Sequence, residues 1–247
     1  AIESIRNFGL IGVYVLEPAE PLPPMTQEDL EFERFQIKAV SAIEEELDRI
    51  LKTRKQSRIQ TIADMVIRNY GHLDEKINFY QNLRSLEDYV SRHSLNVAIL
   101  CAMITHVMNI RREEQYHTVC AALLHDMGKL KKHEDVYFGA PYSREDAIRN
   151  CETQEEAYSV IEDAFATEGP AIRRICQQAA GKQLDLFPEE GKESRYKMLE
   201  GSNVLLVANR YDEITAMTLQ GTAQSEVKAA QELLEHPEVY DPETVQA

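Results

Sequence analysis

His125 and Asp126 stand side by side in TVCAALLHDMGKL (118–130), where an apolar, helix-like run gives way to Gly128 and Lys129. A carboxylate at the buried end of a helix needs a partner, because burying it unpaired costs several kcal/mol. A divalent cation is one such partner, and imidazole plus carboxylate suits manganese, iron or zinc. The plainer alternative is a helix terminus with Gly128 as its C-cap. A second histidine, His93, falls in SLEDYVSRHSLNVAILCAMITHVMNI, where Leu86, Val90, His93, Val97, Leu100, Ile104 and Met108 recur every three or four residues. That spacing places His93 in a buried seam rather than on a wet face. Alone, a histidine there is an ordinary core residue. A shared cation would need the imidazoles of His93 and His125 within about 5 Å of each other.

Helices have to carry these groups. Thr26 precedes QEDLEFERFQIKAVSAIEEELDRILKTR, and its N-cap, acidic first turn and basic end predict a helix over 27–54. Leu30, Ile37, Val40, Leu47 and Leu51 supply its apolar stripe. A second helix is expected over about 56–70, ending near Gly71, and the helix bearing His93 follows. The next, about 113–127, ends in the His125–Asp126 pair. Helices are also expected near 143–165 and 168–179, then a polar loop, GKQLDLFPEEGKES, then helices at about 195–217 and 222–235. FGLIGVYVL (8–16), with EPAEPLPPM after it, reads as a short strand or docking segment.

The composition agrees with a mainly helical, globular chain, since 43% of the 247 residues are hydrophobic, 28% are charged, and Gly and Pro are sparse. Its net charge of −15 repels a nucleic-acid backbone, so no nucleic-acid partner is expected. A local cluster or a metal can still attract a small anion. KLKKH (129–133) gathers such positive charge, either to draw phosphate or to complement a helix dipole. His72, His106, His117 and His133 need no function as exposed or capping residues. Cys101, Cys120, Cys151 and Cys176 have no CxxC spacing, which fits reduced thiols and a cytoplasmic location. No apolar run approaches the roughly 18 residues of a membrane span, and no signal-peptide pattern opens the chain. It begins with Ala1 rather than Met, as a segment of a longer protein would.

YVSRHSLNVAILC followed by AALLHDMGK resembles the HD superfamily of metal-dependent phosphohydrolases, and more narrowly its HD-GYP branch, which hydrolyses cyclic dinucleotides. NVLLVANRYDEIT is similar to that branch's closing helix, and HPEVYDPETV to its C-terminal end. The resemblance covers residues 80–247. It implies an all-α, HD-domain-like helical bundle, preceded over 1–79 by a helical extension with the candidate strand. His93 matches the first histidine ligand, His125 and Asp126 the pair that names the superfamily, and Lys129 its substrate-facing lysine. The last ligand, an aspartate in the family, falls on Asn209. Asp212, one turn further, matches a second acidic position and shares a helix face with Leu205, Asn209 and Ala216.

The chain departs from the HD-GYP pattern downstream. No histidine lies between His133 and His236, and Gln177 and Gln178 stand near the branch's His-His pair. Phe187-Pro188 stands for its Tyr-Pro, and TAMTLQG lacks its arginine. The resemblance therefore implies one divalent ion (manganese, iron, zinc, nickel or magnesium), or none in a degenerate site. The expected activity is hydrolysis of a nucleotide or small phosphate ester, with Asp126 and Lys129 as catalytic groups. A non-catalytic signalling or binding module is the second expectation, and a cyclic-dinucleotide phosphodiesterase the third. The branch also implies an upstream sensory or receiver module, and residues 1–79 suit either its tail or a dimerising extension.

Overall fold

The computed structural model describes residues 27–73, 88–131, 143–187, 197–216 and 223–247. The expected strand at 8–16, the Thr26 cap, Leu86, Lys132, His133 and Pro188 lie outside these residues. Every regular element among the described residues is helical, so the fold is all-α. In chain order they are α1 (Gln27–Thr53), α2 (Ile59–Tyr70), α3 (Tyr89–Val107), α4 (Arg112–Leu124), α5 (Arg144–Tyr158), α6 (Ile161–Phe165), α7 (Gly169–Lys182), α8 (Glu200–Thr215), α9 (Glu226–Glu235) and α10 (Pro242–Gln246). A 3-10 turn, Met127–Lys131, follows α4, and shorter ones flank α7. The chain groups into two compact units, Ala1–Phe35 and Gln36–Ala247, and the second is the one described below.

Helix α4 is its hub, with α2, α3, α7 and α8 all packed against it. Val119–Leu124 are completely buried, which is why this segment is apolar on every side instead of striped. Helix α3 lies between α4 and α8 and buries 12 of its 19 residues. Val90, His93 and Val97 are buried, but Leu100, Ile104 and Met108 of the expected stripe are only half-buried. The inward surface turns instead through Leu95, Ala98, Ile99, Cys101 and Ala102, because α2, α4 and α8 all pack against the helix.

Two predicted segments differ in detail. The single helix expected over 143–165 breaks after Tyr158, so that α5 packs on the 3-10 turn and α6 on α7. The polar loop expected from Gly181 instead continues α7 to Lys182 and then turns as a 3-10 helix over Gln183–Leu186.

Helix α8 comes close to α4 at Gly201, where a Cβ would stand 2.3 Å from Thr118 Oγ1. A glycine permits this approach with Thr118 in place, and it helps bring the far end of α8 to the end of α4. At the other end of the unit, Glu46 of α1 accepts from Ser57 N, Ser57 Oγ and Arg58 N at 2.7, 2.7 and 2.8 Å. It pins the two residues that lead into α2 to the side of α1. No helix among the described residues is long and apolar enough to cross a membrane.

Candidate metal centre

Three helix segments meet where α4 ends. His125 is the residue after α4, Asp126 follows, and the 3-10 turn folds Lys129 back over them. His93 projects from the second turn of α3, and Asn209 from the second half of α8. All five are buried, between 0% and 7% exposed.

The two imidazoles face each other through Nε2, 3.1 Å apart, well inside the separation that metal binding demands. Asn209 Oδ1 lies 2.9 Å from each of these nitrogens. Asp126 Oδ2 is 3.6 Å from His93 Nε2, and its Oδ1 is 3.9 Å from His125 Nε2. The opposite ring nitrogens are already used. His93 Nδ1 donates to Asp212 Oδ2 at 2.7 Å, and His125 Nδ1 to the Ala122 carbonyl at 2.7 Å. A carboxylate and a carbonyl only accept, so each Nδ1 carries a proton, and in the neutral ring Nε2 then presents a lone pair. Asn209 is oriented by the same logic. Its Nδ2 donates to Glu213 Oε1 at 3.2 Å, which turns Oδ1 inward.

The centre is thus a ring of acceptors with no donor hydrogen among them. With the Asn209 oxygen turned inward and both rings neutral, a positive charge satisfies it, either a proton on one imidazole or a metal cation. Three of its edges, 2.9, 2.9 and 3.1 Å, are close to the roughly 3.0 Å that separates ligands at right angles on bonds of about 2.1 Å. His93, His125 and Asp126 also offer one donor atom each within 4.8 Å of one another. The residues fit a divalent ion.

Burial, together with neighbouring His93, pushes His125 below its ordinary range against the pull of Asp126, which keeps this imidazole neutral. Burial acts to raise the Asp126 carboxyl, but Lys129, His125 and His93 outweigh it and hold the group well below the usual carboxylate range. The Lys129 ammonium donates to Asp126 Oδ2 at 2.6 Å. Lys129 therefore pairs with a donor of the centre as well as facing the cleft.

Other expected residues sit elsewhere. Asp212 reaches the Nδ1 side of His93, away from the point where the donors meet. Gln177 bonds Glu155, and Gln178 binds Leu199 N and Ser202 Oγ at the start of α8. His106 and His117 are half-buried and His72 exposed, and none belongs to the donor cluster. Gly128 is not the expected left-handed C-cap. It lies in the 3-10 turn, where a Cβ would meet Gln154 Oε1 at 2.6 Å.

Three supporting residues carried no signal in the sequence. Gln154 of α5 accepts from Gly128 N at 2.9 Å and donates to Asp126 Oδ1 at 3.1 Å, tying the turn to the carboxylate. Tyr158 donates to the His125 carbonyl at 2.6 Å. Asn96 donates to Asp212 Oδ1 at 3.2 Å. Beside the donors opens a cleft of about 360 Å³, counting its mouth. His125, Asp126, Lys129, Gln154, Asn209 and Glu213 form its polar wall, and Leu205, Leu206, Ala179 and Cys176 its apolar one.

No curated protein and no solved structure matches the chain. The family model described as HD domain matches residues 90–216, slightly more than half the chain and the span from α3 through α8 that builds the centre. With His93, His125 and Asp126 brought together inside that span, the chain belongs to the HD-domain family.

Proposed function

We propose that the chain is a divalent-metal-dependent phosphohydrolase acting on a nucleotide or another small phosphate ester. One observation carries this reading: two imidazole Nε2 atoms, the Asp126 carboxylate and Asn209 Oδ1 converge while both Nδ1 protons are bonded elsewhere. His93, His125, Asp126 and Asn209 would hold the ion. Once bound, such an ion supplies Lewis acidity to a phosphate oxygen and acidifies a water.

The chain's own residues do the rest. Asp212 and the Ala122 carbonyl keep the imidazoles in the tautomer that leaves Nε2 open. Lys129 brings a cation to the cleft wall, where its ammonium neutralises charge on phosphoryl oxygens. The buried surroundings strengthen each of these interactions. Protein purified without chelator is expected to carry manganese, iron, zinc or nickel, or to hydrolyse p-nitrophenyl phosphate or a nucleoside monophosphate once metal is added. Failure of both ends this reading.

A second reading is an HD-GYP-like signalling module that binds a nucleotide or partner without turnover, downstream of a sensory or receiver domain and as a homodimer. It is favoured by the single carboxylate of the donor set, which is neutralised by Lys129. Nucleotide binding with no hydrolysis under any divalent metal would move this reading to first place. Cyclic-dinucleotide hydrolysis ranks third, because the described residues contain one donor cluster and Gln177 and Gln178 bond elsewhere.

A further inference from the structure

Asn209 is the one donor of the centre with two chemically opposite ends. Its Oδ1 faces two Nε2 atoms that, in the neutral rings, only accept. A half-turn of the amide would present two N–H groups to those same nitrogens. It would replace acceptor–acceptor contacts with hydrogen bonds and fill the place of a cation with protons. Glu213 opposes that half-turn. Its carboxylate only accepts, so a reversed amide would set Oδ1 against Oε1.

Glu213 cannot readily swing away. It lies one helical turn beyond Asn209, its side chain is 5% exposed, and Arg210 Nη1 holds its second oxygen at 3.3 Å. Arg210 is itself paired with Glu232 of α9. A carboxylate behind the amide nitrogen also pushes electron density toward Oδ1, which offsets part of the charge lacking where the family has an aspartate.

Resting on the metal-site reading above, we propose that Glu213 is a positioning residue that holds the Asn209 amide with its oxygen inward. Glu213 thereby decides whether the centre accepts a cation or satisfies itself.

The test is a mutant cycle read by calorimetric titration with manganese and zinc, alongside nitrogen-15 NMR of metal-free protein at pH 8. Glu213→Leu is expected to weaken metal affinity about 10–100-fold, as loss of a residue orienting a ligand does. Glu213→Gln, which preserves shape and folding, is expected to weaken it by less. Combined with Asn209→Asp, which has no amide to reverse, either change is expected to cost less than about 3-fold. In the NMR arm, Glu213→Leu is expected to create a coupling between the Asn209 amide and an imidazole Nε2 that the parent protein lacks.

Equal losses in both backgrounds, or no loss in either, would overturn the proposal, as would an amide whose partner does not change. If the parent protein binds no metal at all, the metal-site reading fails separately. The NMR arm then decides the orienting role alone: the new coupling upholds it, and absence of the coupling overturns it.

Discussion

His93 of α3 and Asp212 of α8, 119 positions apart in the chain, share a 2.7 Å hydrogen bond from Nδ1 to Oδ2 in the buried core. Asn96 holds the other Asp212 oxygen at 3.2 Å, so the carboxylate is fixed and fixes the ring in turn. A carboxylate behind a ligating histidine sets its tautomer and raises its basicity. Asp212→Leu is therefore expected to weaken manganese or zinc affinity about 10–100-fold, measured by titration calorimetry. Asp212→Asn still offers an oxygen to the ring N–H and is expected to lose clearly less. Equal losses would assign the effect to charge and remove the orienting role.

Lys129 and Asp126 form a buried ion pair at 2.6 Å, the ammonium being 2% and the carboxylate 6% exposed. Removing one partner of such a pair leaves a stranded charge and costs about 3–5 kcal/mol. Lys129→Met is expected to lower the melting temperature of metal-free protein sharply. A divalent ion would then take over the stranded carboxylate, so added metal should raise the melting point of the variant more than that of the parent. A metal-induced gain no larger than the parent's would show that the ion does not reach Asp126.

The cluster of His93, His125 and Asp126 was legible because its residue types show in the sequence: an adjacent His-Asp closing an apolar run, and a histidine at a seam position. Which of Asn209 and Asp212 met the open nitrogens was not legible, since the two lie one turn apart on one face. The packing of α8 on α3 decides it, sending Asn209 to Nε2 and Asp212 to Nδ1. Gln154 and Glu213 had no signature, one an amide 28 positions from its partner and the other one acid among 42. The same limit shows in α3. A periodic stripe gives the burial phase of a helix with one neighbour, and α3 has α4 on one side and α8 on another.

Gly201 sets how closely α8 approaches α4. A methyl there would meet Thr118 Oγ1 at 2.3 Å and Ile175 Cδ1 at 3.3 Å, so Gly201→Ala must push the helices apart or turn the threonine. Overpacking of this kind costs about 1–3 kcal/mol, and chemical denaturation is expected to show it. Thr118→Ala removes the obstructing oxygen and should recover part of the loss when combined with Gly201→Ala. Strict additivity of the two changes would mean the contact is not what limits the approach.

Glu46 gives the unit a stability that depends on acidity. Its carboxylate is 1% exposed. Burial acts to raise its ordinary value of 4.5, but the Ser57 and Arg58 amides, the Ser57 hydroxyl and Arg49 outweigh burial and lower it. A carboxyl lowered on folding makes the unfolded chain the stronger proton binder. Its contribution is therefore complete above the unfolded value near 4.5 and is lost as the pH falls through the lower folded value. Glu46→Gln removes the charge from these hydrogen bonds and is expected to cost about 1–2 kcal/mol at pH 7. Urea denaturation of parent and variant across pH 7 to 3 checks it. The gap between them should shrink as the parent's carboxylate protonates, whereas a gap constant down to pH 3 would mean that Glu46 stabilises the start of α2 by shape and not by charge.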